Sequence, residues 1–160
     1  MDSKIKILIT GAAGFIGHHV VEHILKNTDW EIVMLDRLNV SGNLNRLTDL
    51  EIWPSEGHRV RSVVHDLRCA VNEQVGAEIG QVNYILHMAA STHVDRSIAD
   101  PMSFVLDNVV ATTNILQFAR KQHEMNEGFY RPIKAFLYFS TDEVFGPAPE
   151  GTVYKEWDRY

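Results

Sequence analysis

The chain has 160 residues, 45% of them hydrophobic and 22% charged, the balance of a globular domain with one core. A net charge of −6 argues against nucleic acid held by bulk electrostatics, and no apolar run approaches the roughly 20 residues of a membrane span. The single cysteine, Cys69, excludes an intrachain disulfide and is expected to be a small, buried or half-buried side chain. Met1 to Lys4 carries no leader pattern, so a cytoplasmic protein is expected.

Ile5 to Ile9 reads as a first strand. It runs into Gly11-Ala12-Ala13-Gly14-Phe15-Ile16-Gly17, which opens a helix whose stripe recurs as Phe15, Ile16, His19, Val20, His23 and Ile24. A strand that turns into a helix through three glycines makes a pocket for a pyrophosphate. The first glycine allows the tight turn, the second lets phosphates approach the backbone, and the third lets helix and strand pack closely. The helix N-terminus adds N–H groups and partial positive charge, with Phe15 and Ile16 in the loop as further cofactor contacts.

Glu31 to Leu35 is a second strand ending at Asp36, 19 residues after Gly17. A carboxylate there accepts hydrogen bonds from the adenosine ribose hydroxyls and repels a 2′-phosphate, so NAD is favoured over NADP. Arg37 follows, and an arginine could accommodate such a phosphate. A short helical segment through Leu44, Leu47 and Leu50 comes next, and Pro54 and Gly57 mark the exit from it. Val60 to Val64 is the third strand. Beyond it, Asp66 can accept from an adenine amino group with Leu67 beside the ring, or Asp66 is a turn cap.

Val71 to Ile79 reads as a short helix and Asn83 to His87 as the fourth strand. His87 reads as a packed core histidine. Met88-Ala89-Ala90 are small enough in part to let the backbone approach the nicotinamide end. The longest helix should start at Asp100-Pro101, a cap followed by proline, with Met102, Val105, Val109, Leu116 and Ala119 as its core stripe. Asn108 suits a helix interior poorly, and a hydrogen bond to neighbouring backbone explains it best. A loop with Gly128 and Pro132 leads to the fifth strand, Lys134 to Phe139.

Alternating strands and helices predict a doubly wound parallel sheet of order 3-2-1-4-5, a Rossmann α/β fold covered on both faces. The sequence stops with no helix over the fifth strand. The expectation is an incomplete NAD-binding domain over residues 1–160, cut before the last strands, with a substrate domain lying outside this chain. Ser140-Thr141-Asp142-Glu143 stands at the C-terminal end of the fifth strand, where ligands bind in open α/β sheets. Adjacent acids there can divide general acid and base work.

The segments Thr10 to Gly17, His93-Val94-Asp95-Arg96-Ser97 and Ser140 to Gly146 together resemble the extended short-chain dehydrogenase/reductases, most closely the nucleoside-diphosphate-glucose 4,6-dehydratase group. That resemblance implies NAD, a nucleotide-sugar substrate and a homodimer. It implies that hydride leaves C4 of the sugar, that Glu143 takes the C5 proton, that Asp142 protonates the departing C6 hydroxyl, and that hydride returns to C6. Thr141 would hydrogen-bond the C4 oxygen. Ser91, His93 and Asn108 are the candidate substrate-side residues, and no metal ligands are expected.

Three departures stand out against the family. No Tyr-x-x-x-Lys pair follows the fifth strand, since Tyr154 is followed by Asp158 and Tyr160 is last, so the pair is expected beyond Tyr160. Ser91 stands where the dehydratases usually carry Glu or Gln, and Phe145 where they usually carry Tyr. The 160 residues alone are therefore expected to be inactive. The competing readings are an NAD-dependent nucleotide-sugar epimerase or decarboxylase, and a non-catalytic nucleotide-binding fragment. Phe104, Val105 and Leu116 are expected to lack cover, with the fifth strand as an open edge.

Overall fold

The structure, a computed structural model, describes residues 4–39, 41–125 and 133–158. Five parallel strands form one sheet: β1 (Lys6–Thr10), β2 (Glu31–Asp36), β3 (Val60–Val64), β4 (Tyr84–His87) and β5 (Ala135–Tyr138). Their order is β3-β2-β1-β4-β5, the doubly wound order that the sequence predicts. The order reverses beside β1, so the crevice at the C-terminal rim opens beyond Thr10.

Strand alternation divides the core into two layers. Leu8, Val33, Leu35, Val63 and Ile85 point to one face, against Ala111, Ile115 and Phe118. Ile7, Ile9, Ile32, Met34 and Leu86 point to the other, against Val21, Ile24 and Leu25. The first group of helix residues belongs to α7 (Ala111–Met125) and the second to α1 (Gly17–Asn27). Cover on both faces holds for the three central strands. It fails at the margins: only Val63 of β3 is buried, and no residue of β5 is. The loop expected around Gly128 and Pro132 lies outside the described residues.

Two helical stripes differ from expectation. In α1 the buried face is Gly17, Val21, Ile24 and Leu25, while Phe15, Ile16, His19 and His23 are exposed. Phe15 and Ile16 precede the first α-helical residue and belong to the phosphate-type loop. In the long helix Asp100 caps as expected, accepting from the Ser103 N–H at 3.2 Å, and α6 (Pro101–Phe104) follows. Residues Val105–Val110 then form a π-turn before α7. The widened turn swings Asp107, Ala111, Ile115 and Phe118 inward. Met102, Val105, Val109 and Leu116 face outward instead, although Ala119 does pack on the core. Both faces of this helix are rich in apolar residues, so periodicity alone could not choose between them.

Smaller corrections follow the same logic. Leu47 does anchor α2 (Asn45–Thr48), but Pro54 lies inside α3 (Trp53–Glu56) rather than beyond the last turn. A Cβ on Gly57 would meet the Trp53 ring at 2.8 Å, so this glycine serves a packing contact as well. Cys69 is exposed, not half-buried, because it falls in the turn after Asp66, whose carbonyl accepts from the Cys69 N–H. The expected helix at Val71 begins later, as α4 (Glu73–Ile79), where Asn72 caps the Val75 N–H at 2.9 Å.

Candidate functional site

The glycine turn joins β1 to α1 at the sheet's reversal point. Gly11 has φ +72°, and a Cβ there would sit 2.9 Å from the Ala89 nitrogen. Only glycine takes this conformation without strain, and only a bare Cα lets the ends of β1 and β4 approach so closely. Gly14 donates to the Gly11 carbonyl at 3.0 Å, closing the turn. A Cβ on Gly17 would lie 2.1 Å from the Gly11 carbonyl oxygen, so the third glycine is required by helix-to-turn contact. The N-terminal end of α1 stands at this rim, where its partial positive charge would meet an anion, while the His18 N–H donates to the Gly14 carbonyl and the His19 and Val20 N–H groups to the Ile16 carbonyl.

Asp36 ends β2 beside this turn. Its Oδ2 accepts from the Ala13 N–H at 3.2 Å and its Oδ1 from the Leu38 N–H at 2.9 Å. Each oxygen retains lone-pair capacity for a further donor. A Cβ on Gly42 would come within 2.6 Å of Oδ1, so the loop glycine leaves room for the carboxylate. Next to it lies an open cleft of about 670 Å³ lined by Arg37, Asn39, Val64, His65, Asp66 and Arg68. Asp66 accepts from the Arg68 N–H at 3.0 Å, which is the turn-capping role, while its other oxygen lies 3.7 Å from Arg37. Leu67 is buried in the β-sheet core, so its side chain supports the cleft from beneath rather than flanking it.

The residue that sequence reasoning missed is Asp107. It is buried inside the π-turn and binds both Arg37 terminal nitrogens, at 2.7 and 2.8 Å. It also accepts from Arg68 Nε and from the Ser91 hydroxyl, each at 2.6 Å. Burial opposes its ionisation, but hydrogen bonds from Arg37, Arg68 and Ser91 outweigh it and hold the carboxyl well below the usual range. Arg37 is thus occupied and does not stand free for a 2′-phosphate as expected. The signal available in the sequence was two polar residues, Asp107 and Asn108, interrupting an apolar helix.

Asn108 and Ser91 form a closed pair. The Ser91 N–H donates to Asn108 Oδ1 at 2.8 Å, and Asn108 Nδ2 donates to the Ser91 carbonyl at 2.9 Å. This is the backbone hydrogen bond expected of Asn108, and it fixes the loop after β4. With the Ser91 hydroxyl donating to Asp107, both half-buried side chains are engaged in holding this loop.

Thr10 and His87 lock the ends of β1 and β4 together. Thr10 Oγ1 accepts from the Met88 and Ala89 N–H groups, both at 3.1 Å, and contacts His87 Nδ1 at 2.7 Å. Two acceptances exhaust the hydroxyl's lone pairs, so its proton goes to Nδ1. His87 Nε2 then carries the ring proton and donates to Thr112 Oγ1 at 2.9 Å, and Thr112 donates on to the Asn108 carbonyl. Burial pushes the His87 pKa down to about 4, consistent with a neutral ring. His87 is a core histidine that positions Met88 and Ala89, with Ala90 exposed beyond them.

On the other side of β4, Ser140, Thr141, Asp142 and Glu143 are exposed at the C-terminal end of β5. Asp142–Phe145 forms a 3-10 turn, and Thr141 precedes it in extended conformation. β5 is two strands from β1, roughly 10 Å at normal strand spacing, and both end on one rim. His93 precedes α5 (Val94–Ala99) and is exposed, its carbonyl accepting from the Ser97 N–H.

The family model for GDP-mannose 4,6 dehydratase matches residues 8–160. The dTDP-glucose 4,6-dehydratase of Salmonella typhimurium is 40% identical over 144 residues, which is 90% of this chain and 39% of that enzyme. DesIV, a dTDP-glucose 4,6-dehydratase from Streptomyces venezuelae solved with NAD bound, superposes with a TM-score of 0.76 at 34% identity, covering 93% of this chain and 43% of DesIV. A UDP-Glc/GlcNAc 4-epimerase from Campylobacter jejuni gives a TM-score of 0.71 at 29% identity, covering 89% of this chain and 39% of the epimerase. The chain therefore spans about 40% of the length of these relatives. On the match from residue 8 to residue 160, it belongs to the GDP-mannose 4,6-dehydratase family within the short-chain dehydrogenase/reductase fold.

Proposed function

We propose that this chain is the cofactor-binding half of a nucleotide-sugar 4,6-dehydratase, a lyase converting a nucleoside-diphosphate glucose to its 4-keto-6-deoxy product. The observation that carries the reading is the position of Thr141, Asp142 and Glu143. They stand on the rim that holds the glycine turn, two strands away. The residues fit a bound dinucleotide: glycines that let the turn close tightly against Ala89 and the start of α1, and a carboxylate with spare acceptor capacity at the end of β2. Gly11, Gly14 and Gly17 with Phe15 and Ile16 would hold the pyrophosphate, Asp36 the ribose, Asp66 the adenine, and Met88, Ala89, Ala90 and Ser140 the nicotinamide side. When bound, NAD would supply the hydride-transfer chemistry that oxidises the sugar at C4 and reduces it at C6.

The chain's own residues carry the rest. Oxidation at C4 makes the C5 proton acidic, and Glu143 removes it. Asp142 delivers a proton to the C6 hydroxyl as it leaves. Thr141 holds the C4 oxygen in place. His93, exposed just before α5, would contribute on the substrate side. An acid and a base side by side suit elimination of water, whereas an epimerase needs no acid at C6, so the dehydratase reading is favoured over epimerase relatives. The base for C4 oxidation and the substrate domain belong to sequence beyond residue 160, and the chain alone turns over no sugar.

The outward stripe of Met102, Val105, Val109 and Leu116 supports a homodimer in the whole protein. No described helix is long and apolar enough to cross a membrane, consistent with a cytoplasmic setting. The test is product analysis by proton NMR. Incubating dTDP-glucose with the protein extended past Tyr160 should yield a C6 methyl group. An unchanged C6 hydroxymethyl with an inverted C4 would establish the epimerase instead. Light scattering of the extended protein checks the dimer.

A further inference from the structure

The dinucleotide preference expected from Asp36 has a second control, in a helix that sequence motifs do not connect to the cofactor. Arg37 follows Asp36 directly, and Arg68 lies across the same cleft. Both guanidiniums would be natural ligands for a phosphate on the ribose. Both are turned to one buried carboxylate, Arg37 through two nitrogens and Arg68 through Nε. We propose that Asp107 is a positioning residue that sets NAD preference by withdrawing Arg37 and Arg68 from the ribose pocket. This rests on the reading that a dinucleotide lies across this rim.

The charges around the pocket favour it. Asp66 and Asp107 already pair with the two guanidiniums and Asp36 adds a third negative charge at the end of β2, so an incoming 2′-phosphate of roughly −2 charge meets a region already negative. Arg37 cannot leave Asp107 cheaply, because a buried carboxylate losing a two-pronged partner keeps its charge without compensation. The π-turn is what aims Asp107 at the cleft, and the Ser91 hydroxyl holds its second oxygen. Without the carboxylate, Arg37 and Arg68, each about a quarter to a third exposed, are free to swing to a phosphate beside Asp36.

The experiment titrates NAD and NADP separately into the wild-type chain and into Asp107→Asn, with circular dichroism to confirm folding. Asp107→Ser serves as a second variant in case the first does not fold. Wild type should bind NAD at least about tenfold more tightly than NADP. Each Asp107 variant should narrow that ratio about tenfold, chiefly by tighter NADP binding, the scale of one charge-assisted hydrogen bond gained. Adding Arg37→Gln and Arg68→Gln together to Asp107→Asn should restore the wild-type ratio. An unchanged ratio in folded Asp107 variants, or equal weakening of both dinucleotides, overturns the proposal and leaves the dinucleotide reading intact. Binding of neither dinucleotide by wild type overturns both.

Discussion

The Cβ that Gly17 lacks would lie 2.1 Å from the carbonyl oxygen of Gly11, a contact between helix and turn with no flexible side chain to yield. Gly17→Ala must therefore push α1 away from the turn. We expect a loss of roughly 1–3 kcal/mol in urea denaturation, the usual cost of overpacking. NAD affinity should fall by more than about tenfold, because the displaced helix end no longer meets the pyrophosphate. Calorimetric titration of the folded variant checks this. Unchanged affinity would mean that the turn is not the phosphate site.

His87 makes stability depend on pH. Burial lowers its pKa in the folded chain to about 4, below the ordinary histidine value of 6.5, so the unfolded chain binds the extra proton between those values. The contribution is complete above about pH 6.5 and is lost as pH falls toward 4, up to about 3 kcal/mol. Urea denaturation at pH 7 and pH 4.5 should show a steeper fall for wild type than for His87→Gln. Parallel falls would contradict the neutral, buried ring.

Asn108→Ala strips both hydrogen bonds from the Ser91 backbone, whose N–H and carbonyl are then without those partners. A cost of about 1–3 kcal/mol is expected. The structural role predicts that NAD affinity drops only as far as the loop after β4 loosens, less than for Gly17→Ala. Paired denaturation and titration curves measure both effects.

The strand order and the glycine turn were legible because each leaves a local trace: apolar runs of strand length, a period that switches, and glycines at fixed spacing. Asp36 was legible for the same reason. The long helix was not. Met102, Val105, Val109 and Leu116 form as good an apolar stripe as Ala111, Ile115 and Phe118, and only the π-turn at Val105–Val110 decides which faces the sheet. A one-residue widening has no signature in hydropathy. Asp107 was missed with it, since its partners Arg37 and Arg68 lie 70 and 39 residues away. Cys69 was misplaced because exposure in a turn depends on the Asp66 cap, not on cysteine's general preference for the interior.

In the extended protein, Glu143→Gln should remove the base without removing the fold. Turnover should fall by roughly 10²–10⁴-fold, and exchange of the sugar's C5 proton with deuterated solvent should cease. Asp142→Asn should slow product formation while C5 exchange persists. Loss of exchange in Asp142→Asn alone would reverse the two roles.

Resonance shifts of backbone amides during NAD titration into this chain probe the whole rim at once. Saturable shifts are expected at Gly11, Gly14 and Gly17, at Asp36 and Asp66, at Ala89 and Ala90, and at Thr141 to Glu143. If the last three residues stay unperturbed while the glycine turn responds, the acid and base do not stand beside the nicotinamide and the dehydratase account is contradicted.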